Sequence, residues 1–402
     1  MAVDNIDYLI ELSNRRVRDV ATEFKRYLYD KIDWRDRLIM IKGMRGVGKT
    51  TLMLQHIKEE FGFSGAALYI SLDNLWFADR SPRDVIEYHY LHGGSHIFID
   101  EIHYYKDWQQ MLKNLYDDFP KLHIVYSGSS LLKLDAGNAD LSRRQIAYTL
   151  NGLSFREYLE FEGKGIFPAF TLEKLLTDHP DIAANVTSDL TVLSYFQQYL
   201  YRGYYPFYKE VYSGYYDRLM RIINQVLEND YPAVEDVTYP TIRKIKKMLV
   251  LLAKNAPQTP NMSKLYNELE TDRNQGLKML NVLKDAGILN LLSSKSETIK
   301  NMSRPDKIYC NNGNIMAALV DDPNAGSVRE SFFLNQLENA GYKCTYPEKG
   351  DFMADGKYLF EVGGRKKSYG QIKDIENSYL AVDVTEVGYG NRIPLWMFGF
   401  LY

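Results

Sequence analysis

An α/β fold built on a mostly parallel sheet is predicted for this chain, and three apolar runs predict it. Leu38-Ile39-Met40-Ile41 leads into Gly43-Met44-Arg45-Gly46-Val47-Gly48-Lys49-Thr50 and then into the helix-forming stretch Thr51-Leu52-Met53-Leu54-Gln55. His96-Ile97-Phe98-Ile99 ends in two carboxylates, Asp100 and Glu101, and Leu122-His123-Ile124-Val125-Tyr126 ends in Ser127-Gly128-Ser129-Ser130. Short continuous apolar runs bounded by turn signals are the pattern of parallel strands buried on both faces.

The loop after the first run fits G-x-x-x-x-G-K-[ST] in the strand-to-helix context that this motif requires. Glycines allow the backbone to turn through positive φ and bring consecutive N–H groups onto a phosphate, while the new helix points its positive end at the same charge. The expected nucleotide cradle is Gly43, Arg45, Gly46, Val47, Gly48, Lys49, Thr50 and Thr51, with Lys49 reaching the β- and γ-phosphates of ATP and Thr50 on Mg2+. Asp100 is expected to hold Mg2+ through water or through Thr50, and Glu101 to orient the attacking water, which points to hydrolysis as well as binding. The Ser127 hydroxyl is placed to report on the γ-phosphate or the water, although Ser and Gly after a strand also make an ordinary turn.

The segments GMRGVGKTTLMLQ, IFIDEIHYYKDW, IVYSGSSLLKL and RRQIAYTLNGLSFREYL, in that order, resemble the archaeal-type family of AAA+ ATPases that carry a C-terminal region of restriction-endonuclease-like fold. The resemblance is closest over residues 20 to 165 and looser beyond. It implies the phosphate and magnesium positions for Lys49 and Thr50, the acidic pair for Asp100 and Glu101, and the sensor position for Ser127. It also implies that Arg144, ahead of the signature Leu153-Ser154-Phe155-Arg156-Glu157, senses γ-phosphate charge in cis or across a subunit boundary of a homo-oligomer. Arg143 stands where the family has glycine and Gly152 where it has proline, so either arginine could serve, or both pair with surface carboxylates.

At 402 residues with 45% hydrophobic content, the chain has room for two to four domains. No apolar run approaches a membrane span and the N-terminus lacks a basic region followed by an apolar one, so a cytoplasmic protein without a membrane partner is expected. Cys310 and Cys344 have no partners at ligand spacing. A formal charge of −3 excludes a uniformly basic surface, but between Thr241 and Cys310 there are 13 Lys or Arg against 6 Asp or Glu.

That basic segment reads as a winged helix. Helices are expected over 241–254, 262–269 and 272–286, followed by strands Ile288–Leu292 and Lys307–Tyr309 around a polar wing. In the third helix Leu277, Leu280 and Leu283 are expected inward and Asn274, Lys278, Asn281 and Lys284 outward. Arg243, Lys246, Lys247, Lys278, Asn281 and Lys284 are the candidate DNA contacts, through a recognition helix in a major groove. The alternative is a lid or protein-contact module whose Lys and Asn serve only solvation.

Upstream, 154–235 is helical and rich in tyrosine (Tyr195, Tyr199, Tyr201, Tyr204, Tyr205, Tyr208, Tyr212, Tyr215 and Tyr216), which fits helix packing better than a base-stacking platform. Downstream, Glu330, Asp351 and Glu361 have the order of a restriction-like nuclease, but Gly363 stands where such sites place lysine. Lys366 or Lys367 could move in; the simpler expectation is a degenerate domain kept as a scaffold. The apolar end Ile393–Tyr402 is expected to be buried.

The expected order is an N-terminal helical lead (1–35), a P-loop AAA+ core (36–153), a helical lid (154–235), a winged helix (236–312) and a restriction-endonuclease-like domain (326–402). Two functions fit it. One is an ATP-driven machine acting on duplex or branched DNA; the other is a nucleotide-controlled switch that binds a protein partner without DNA.

Overall fold

A computed structural model describes residues 6–132, 141, 143–211, 213–255, 261–294, 305–365 and 367–402. Tyr212, the wing at 295–304 and Lys366 lie outside the described residues. The chain forms two compact units, one from the chain up to Asn151 together with Gln225–Val237, the other from Gly152–Asn224 together with Thr238–Tyr402.

The first unit holds a five-stranded sheet of β1 (Leu38–Lys42), β2 (Ala67–Ser71), β3 (His96–Asp100), β4 (His123–Gly128) and β5 (Ile146–Thr149). Its order is β2-β3-β4-β1-β5, with every pair parallel. Leu38, Ile39, Met40 and Ile41 are all but inaccessible, as a strand covered on both faces must be. Helix Ile6–Asp19 lays Ile6 and Leu9 into the core formed by Leu38, Met40, Ile70, Ile97, Ile99 and Tyr126. Because the strands run in one direction, their carboxyl ends share one edge: Ile41 stands opposite Ser127, and Ser71 opposite Asp100. β4 runs two residues further than its apolar run suggested, so Ser127 sits inside the strand and not in the turn after it.

In the second unit Ser154 and Glu157 close a capping box that starts helix Phe155–Phe161, satisfying two N-terminal amides reciprocally. Gly152 lies so close to Tyr204 that a Cβ would stand 2.2 Å from its ring. Tyr199, Tyr204, Tyr205 and Tyr215 are buried, and the Tyr199 hydroxyl donates to Leu153 O at 2.6 Å, so these tyrosines pack helices together. Helices Tyr239–Asn255, Met262–Glu268 and Arg273–Asp285 follow, then an antiparallel pair, β6 (Leu289–Leu292) and β7 (Lys307–Cys310). The inward face of the third helix differs from the expected one: Gly276, Met279, Leu280 and Leu283 are buried and Leu277 only partly, because Tyr266 packs directly on Gly276.

The chain ends in a mixed sheet of β8 (Cys344–Thr345), β9 (Phe352–Ala354), β10 (Tyr358–Gly363), β11 (Ser378–Val382) and β12 (Arg392–Pro394), in the order β12-β11-β10-β9-β8. β10, β11 and β12 are parallel, and β8 and β9 antiparallel. Helix Ala325–Asn339 covers it through Phe333, whose ring centroid lies 5.2, 5.0 and 4.6 Å from those of Phe352, Phe360 and Phe398. The apolar turn Leu395–Phe400 is buried throughout. Among the described residues no helix is long and apolar enough to cross a membrane. Phe333→Ala empties the centre of this cluster and is expected to cost about 3–5 kcal/mol in urea unfolding; a loss below ~1 kcal/mol would show that the cluster collapses around the cavity.

Candidate functional site

The glycine loop is shaped by close contacts and by one buried arginine. Gly46 and Gly48 take φ of 86° and 103°, and a Cβ on Gly43 would stand 2.3 Å from Leu150 O. Arg26, itself buried, donates from Nη1 to Val47 O at 2.5 Å and from Nη2 to Asn151 O at 2.8 Å, fixing the loop from behind. Lys49 opens helix Lys49–His56 and donates from Nζ to Gly43 O at 2.8 Å and Met44 O at 3.2 Å, so its ammonium lies across the loop. Thr51 points to solvent. The result is a helix N-terminus with a lysine beside it, the arrangement that receives a phosphate.

Asp100, at the end of β3, is the most heavily bonded side chain of the edge. Its Oδ2 accepts from Thr50 Oγ1 at 2.6 Å and Tyr69 OH at 2.7 Å. Its Oδ1 accepts from the Ser127 hydroxyl and, at 3.2 Å, from the Glu101 amide. Tyr69 in turn accepts from Arg16 Nη1 at 2.8 Å. Burial, with Asp100 beside it, pushes the Tyr69 phenol well above its ordinary range and keeps it a donor. Thr50 and Asp100 are hard oxygen donors within one hydrogen bond of each other and fit a divalent cation of the magnesium kind. Among the described residues no group of three or more His, Cys, Asp or Glu could hold a metal.

Glu101 follows at φ 52°, a left-handed conformation that side chains other than glycine rarely adopt. The turn carries its carboxylate to 3.5 Å from Arg45 Nη2 and 3.5 Å from His103 Nε2. The same two nitrogens stand 3.4 and 3.5 Å from Asp230 Oδ1. Burial raises the Glu101 pKa, with Asp100 adding to it, against the pull of Lys49, Arg45 and His103. For Asp230 burial acts in the same direction, but His103, Arg45 and Lys49 outweigh it and hold the carboxyl below its ordinary value.

Arg144 is not brought to this edge in the single chain; its Nη2 pairs with Asp117 at 3.2 Å, while Arg143 is exposed. Of the basic candidates, Arg243, Lys247 and Lys278 are exposed and Lys246, Asn281 and Lys284 partly buried. Lys247 Nζ donates to Glu268 O at 2.6 Å, the end of a helix, which gives it a capping role. Tyr69, Arg16, Arg26, His103 and Asp230 were not singled out from sequence. His103 sits two residues past the acidic pair in IFIDEIHYYKDW; the other four lie in none of the quoted segments, and Asp230 is 185 residues from Arg45.

In the second unit Glu330, Asp351 and Glu361 do converge. Lys307 Nζ lies 3.7 Å from Glu330 and 3.6 Å from Asp351, and Lys367 Nζ 3.4 Å from Asp351 and 3.1 Å from Glu361. Glu361 is buried, and its Oε2 has no hydrogen-bond partner. Burial and the adjacent Asp351 raise the Glu330 pKa. The position that lacks lysine explains how one arrives: a Cβ on Gly363 would meet Lys367 Cβ, Cγ and Cδ at 2.7–2.8 Å, so Gly363 leaves room for the Lys367 stem.

Tyr69→Phe removes one of the four donors to Asp100 and the hydroxyl that accepts from Arg16 Nη1. It is expected to lower stability by about 1–2 kcal/mol in denaturant titration; an unchanged midpoint would mean that the phenol does not anchor Asp100.

Residues 35–159 match an AAA domain and residues 193–325 a domain of unknown function, DUF8612. The uncharacterized protein MJ1637 of Methanocaldococcus jannaschii is 30% identical over 397 residues, covering 87% of this chain and 82% of that one. MJ1544 of the same organism is 22% identical over 327 residues, covering 76% and 68%. AMPPCP-bound DnaA from Aquifex aeolicus is similar at 16% identity and a TM-score of 0.24, covering 71% of this chain and 93% of that structure. The chain belongs to the same family as MJ1637, and its residues 35–159 carry the AAA domain of a P-loop ATPase.

Proposed function

We propose that this chain is a Mg2+-dependent ATP phosphohydrolase of AAA+ type that couples hydrolysis to action on DNA. The observation that carries the hydrolytic part is the convergence of Thr50, Asp100, Glu101 and Ser127 on one strand edge beside the glycine loop. In this reading the amides of Gly46, Val47, Gly48, Lys49 and Thr50, with the Lys49 ammonium, bind the β- and γ-phosphates. Thr50 and Asp100 would hold Mg2+, which when bound would neutralise charge on the phosphate oxygens. Glu101 accepts a hydrogen bond from the attacking water and orients it, and Ser127, already bonded to the Glu101 amide at 3.2 Å, fixes that carboxylate's backbone. Arg144, committed to Asp117 within one chain, would serve the nucleotide of a neighbouring copy in a homo-oligomer.

Action on DNA is supported by the order three helices then antiparallel hairpin over 239–310, that of a winged helix, and by its exposed Arg243 and Lys278. The lid at 154–235, the winged helix at 236–312 and the nuclease-like domain at 326–402 are the parts we assign to this coupling. Lys49→Ala is expected to weaken ATP binding roughly 10-fold or more. Glu101→Gln should bind ATP as wild type does while turnover falls by about 100-fold or more. With that variant as the blank, several-fold stimulation of steady-state hydrolysis by duplex, single-stranded or branched DNA supports a DNA-acting machine. No response to any of them would favour the switch that binds a protein partner.

A second reading, an active Mg2+-dependent nuclease in place of a degenerate scaffold, is favoured by Lys367. Its ammonium stands between Asp351 and Glu361, where it could stabilise charge on a scissile phosphate. Mg2+-dependent nicking of supercoiled plasmid that is lost in Asp351→Asn and in Lys367→Ala would establish it. Absence of nicking by the wild type leaves the scaffold.

A further inference from the structure

Asp230 is a buried charge that the reaction outlined above leaves unused. It arrives from a distant stretch of chain, Val226–Asp230, which forms a π-helical turn leading into helix Tyr231–Val234 and belongs to the same compact unit as the sheet. π turns are rare and recur at functional sites. Its side chain is 1% exposed, with no solvent to neutralise it.

The geometry is one of sharing. Arg45 Nη2 stands 3.4 Å from Asp230 Oδ1 and 3.5 Å from Glu101 Oε2, and His103 Nε2 stands 3.5 Å from each. Tyr104 OH lies 3.5 Å from Arg45 Nη2 on the same side. Each of the two basic side chains thus faces both carboxylates, and any approach of Arg45 or His103 to Asp230 is withdrawn from Glu101. All four separations exceed the roughly 2.7–2.9 Å of a closed charge-assisted hydrogen bond, so Glu101 is flanked by positive charge without being locked to it. Arg45 Nε and both His103 ring nitrogens are buried without a hydrogen bond. The ring has slack that a rearrangement around a bound nucleotide can take up.

We infer that Asp230 is a positioning residue for ATP hydrolysis: by drawing Arg45 and His103 toward itself it keeps the Glu101 carboxylate free to orient water, and it ties the 225–237 segment to turnover. The inference rests on the hydrolytic reading of the site. Without Asp230 the Arg45 charge falls on Glu101 alone, and a carboxylate closed onto a guanidinium no longer accepts from water.

The test is steady-state ATP hydrolysis by wild type, Asp230→Asn, Asp230→Glu and the double variant Asp230→Asn/Arg45→Gln, with thermal melting as the check on folding. Asp230→Asn is expected to lower kcat about tenfold or more while KM for ATP stays within about threefold. Asp230→Glu should recover at least a third of wild-type kcat, and the double variant, which removes the charge that closes onto Glu101, should recover part of what Asp230→Asn lost. If Asp230→Asn does not fold, Asp230→Ala is read in the same way. A wild-type kcat in Asp230→Asn, or a loss in kcat matched by KM and not relieved by Arg45→Gln, overturns the inference while leaving the ATPase reading in place. A wild type that hydrolyses no ATP overturns both.

Discussion

The Asp100 carboxylate ties the phosphate loop to the sheet. Four donors reach it, from the first turn of the helix after the loop, from β2, from β4 and from the next residue of its own chain. A buried carboxylate is tolerated only when its lone pairs are satisfied, and here one of the groups that satisfy it, Thr50, is the side chain proposed to share a cation with it. The parallel order β2-β3-β4-β1-β5 is what makes this possible, because it brings the carboxyl ends of β1, β3 and β4 side by side. Position follows from topology, and electrostatics from position.

Around that centre the first unit uses residues far apart in the chain to hold groups that carry no restraint of their own. Arg26 fastens the back of the loop through carbonyl oxygens, and Arg16 holds the Tyr69 phenol against Asp100. Glu101 has no such anchor. Its left-handed backbone and the shared charges of Arg45, His103 and Asp230 decide where its carboxylate stands. A loosely paired acid beside a tightly bonded one suits a site where one carboxylate fixes a cation and the other must answer to a water.

The glycine loop, the two acids and Ser127 were legible in the sequence because each is local. A strand, a turn and a helix start are written within a few residues, and the chemistry sits on the turn. Three of the five strands of the first sheet were legible as well; β2 and β5 were not, since Ala67–Ser71 leads into no motif and Ile146–Thr149 is a four-residue edge strand, largely exposed, without an apolar run. The long-range partners left no trace: Tyr69 reads as an ordinary strand residue, and Asp230 as one acid on a helical stretch. Lys367 was only half legible. Its place beside Asp351 and Glu361 depends on the space that Gly363 leaves, which sequence spacing alone does not express. In the basic segment, helix limits were legible from capping residues such as Asp272, whose side chain accepts from the amides of Asn274 and Gln275. Its inward face was legible at Leu280 and Leu283 but not at Leu277, which stays partly exposed while Gly276, under the Tyr266 ring, is buried.

On the proposed reading Asp100, with Thr50, makes nucleotide binding metal-dependent. The direct measurement is the ATP affinity of wild type and of Asp100→Asn by titration calorimetry, each in Mg2+ and in a chelator. Mg2+ should tighten ATP binding to the wild type and this increment should vanish in Asp100→Asn, with similar affinities for both proteins in chelator. An undiminished Mg2+ increment in Asp100→Asn would contradict it and would place the cation elsewhere.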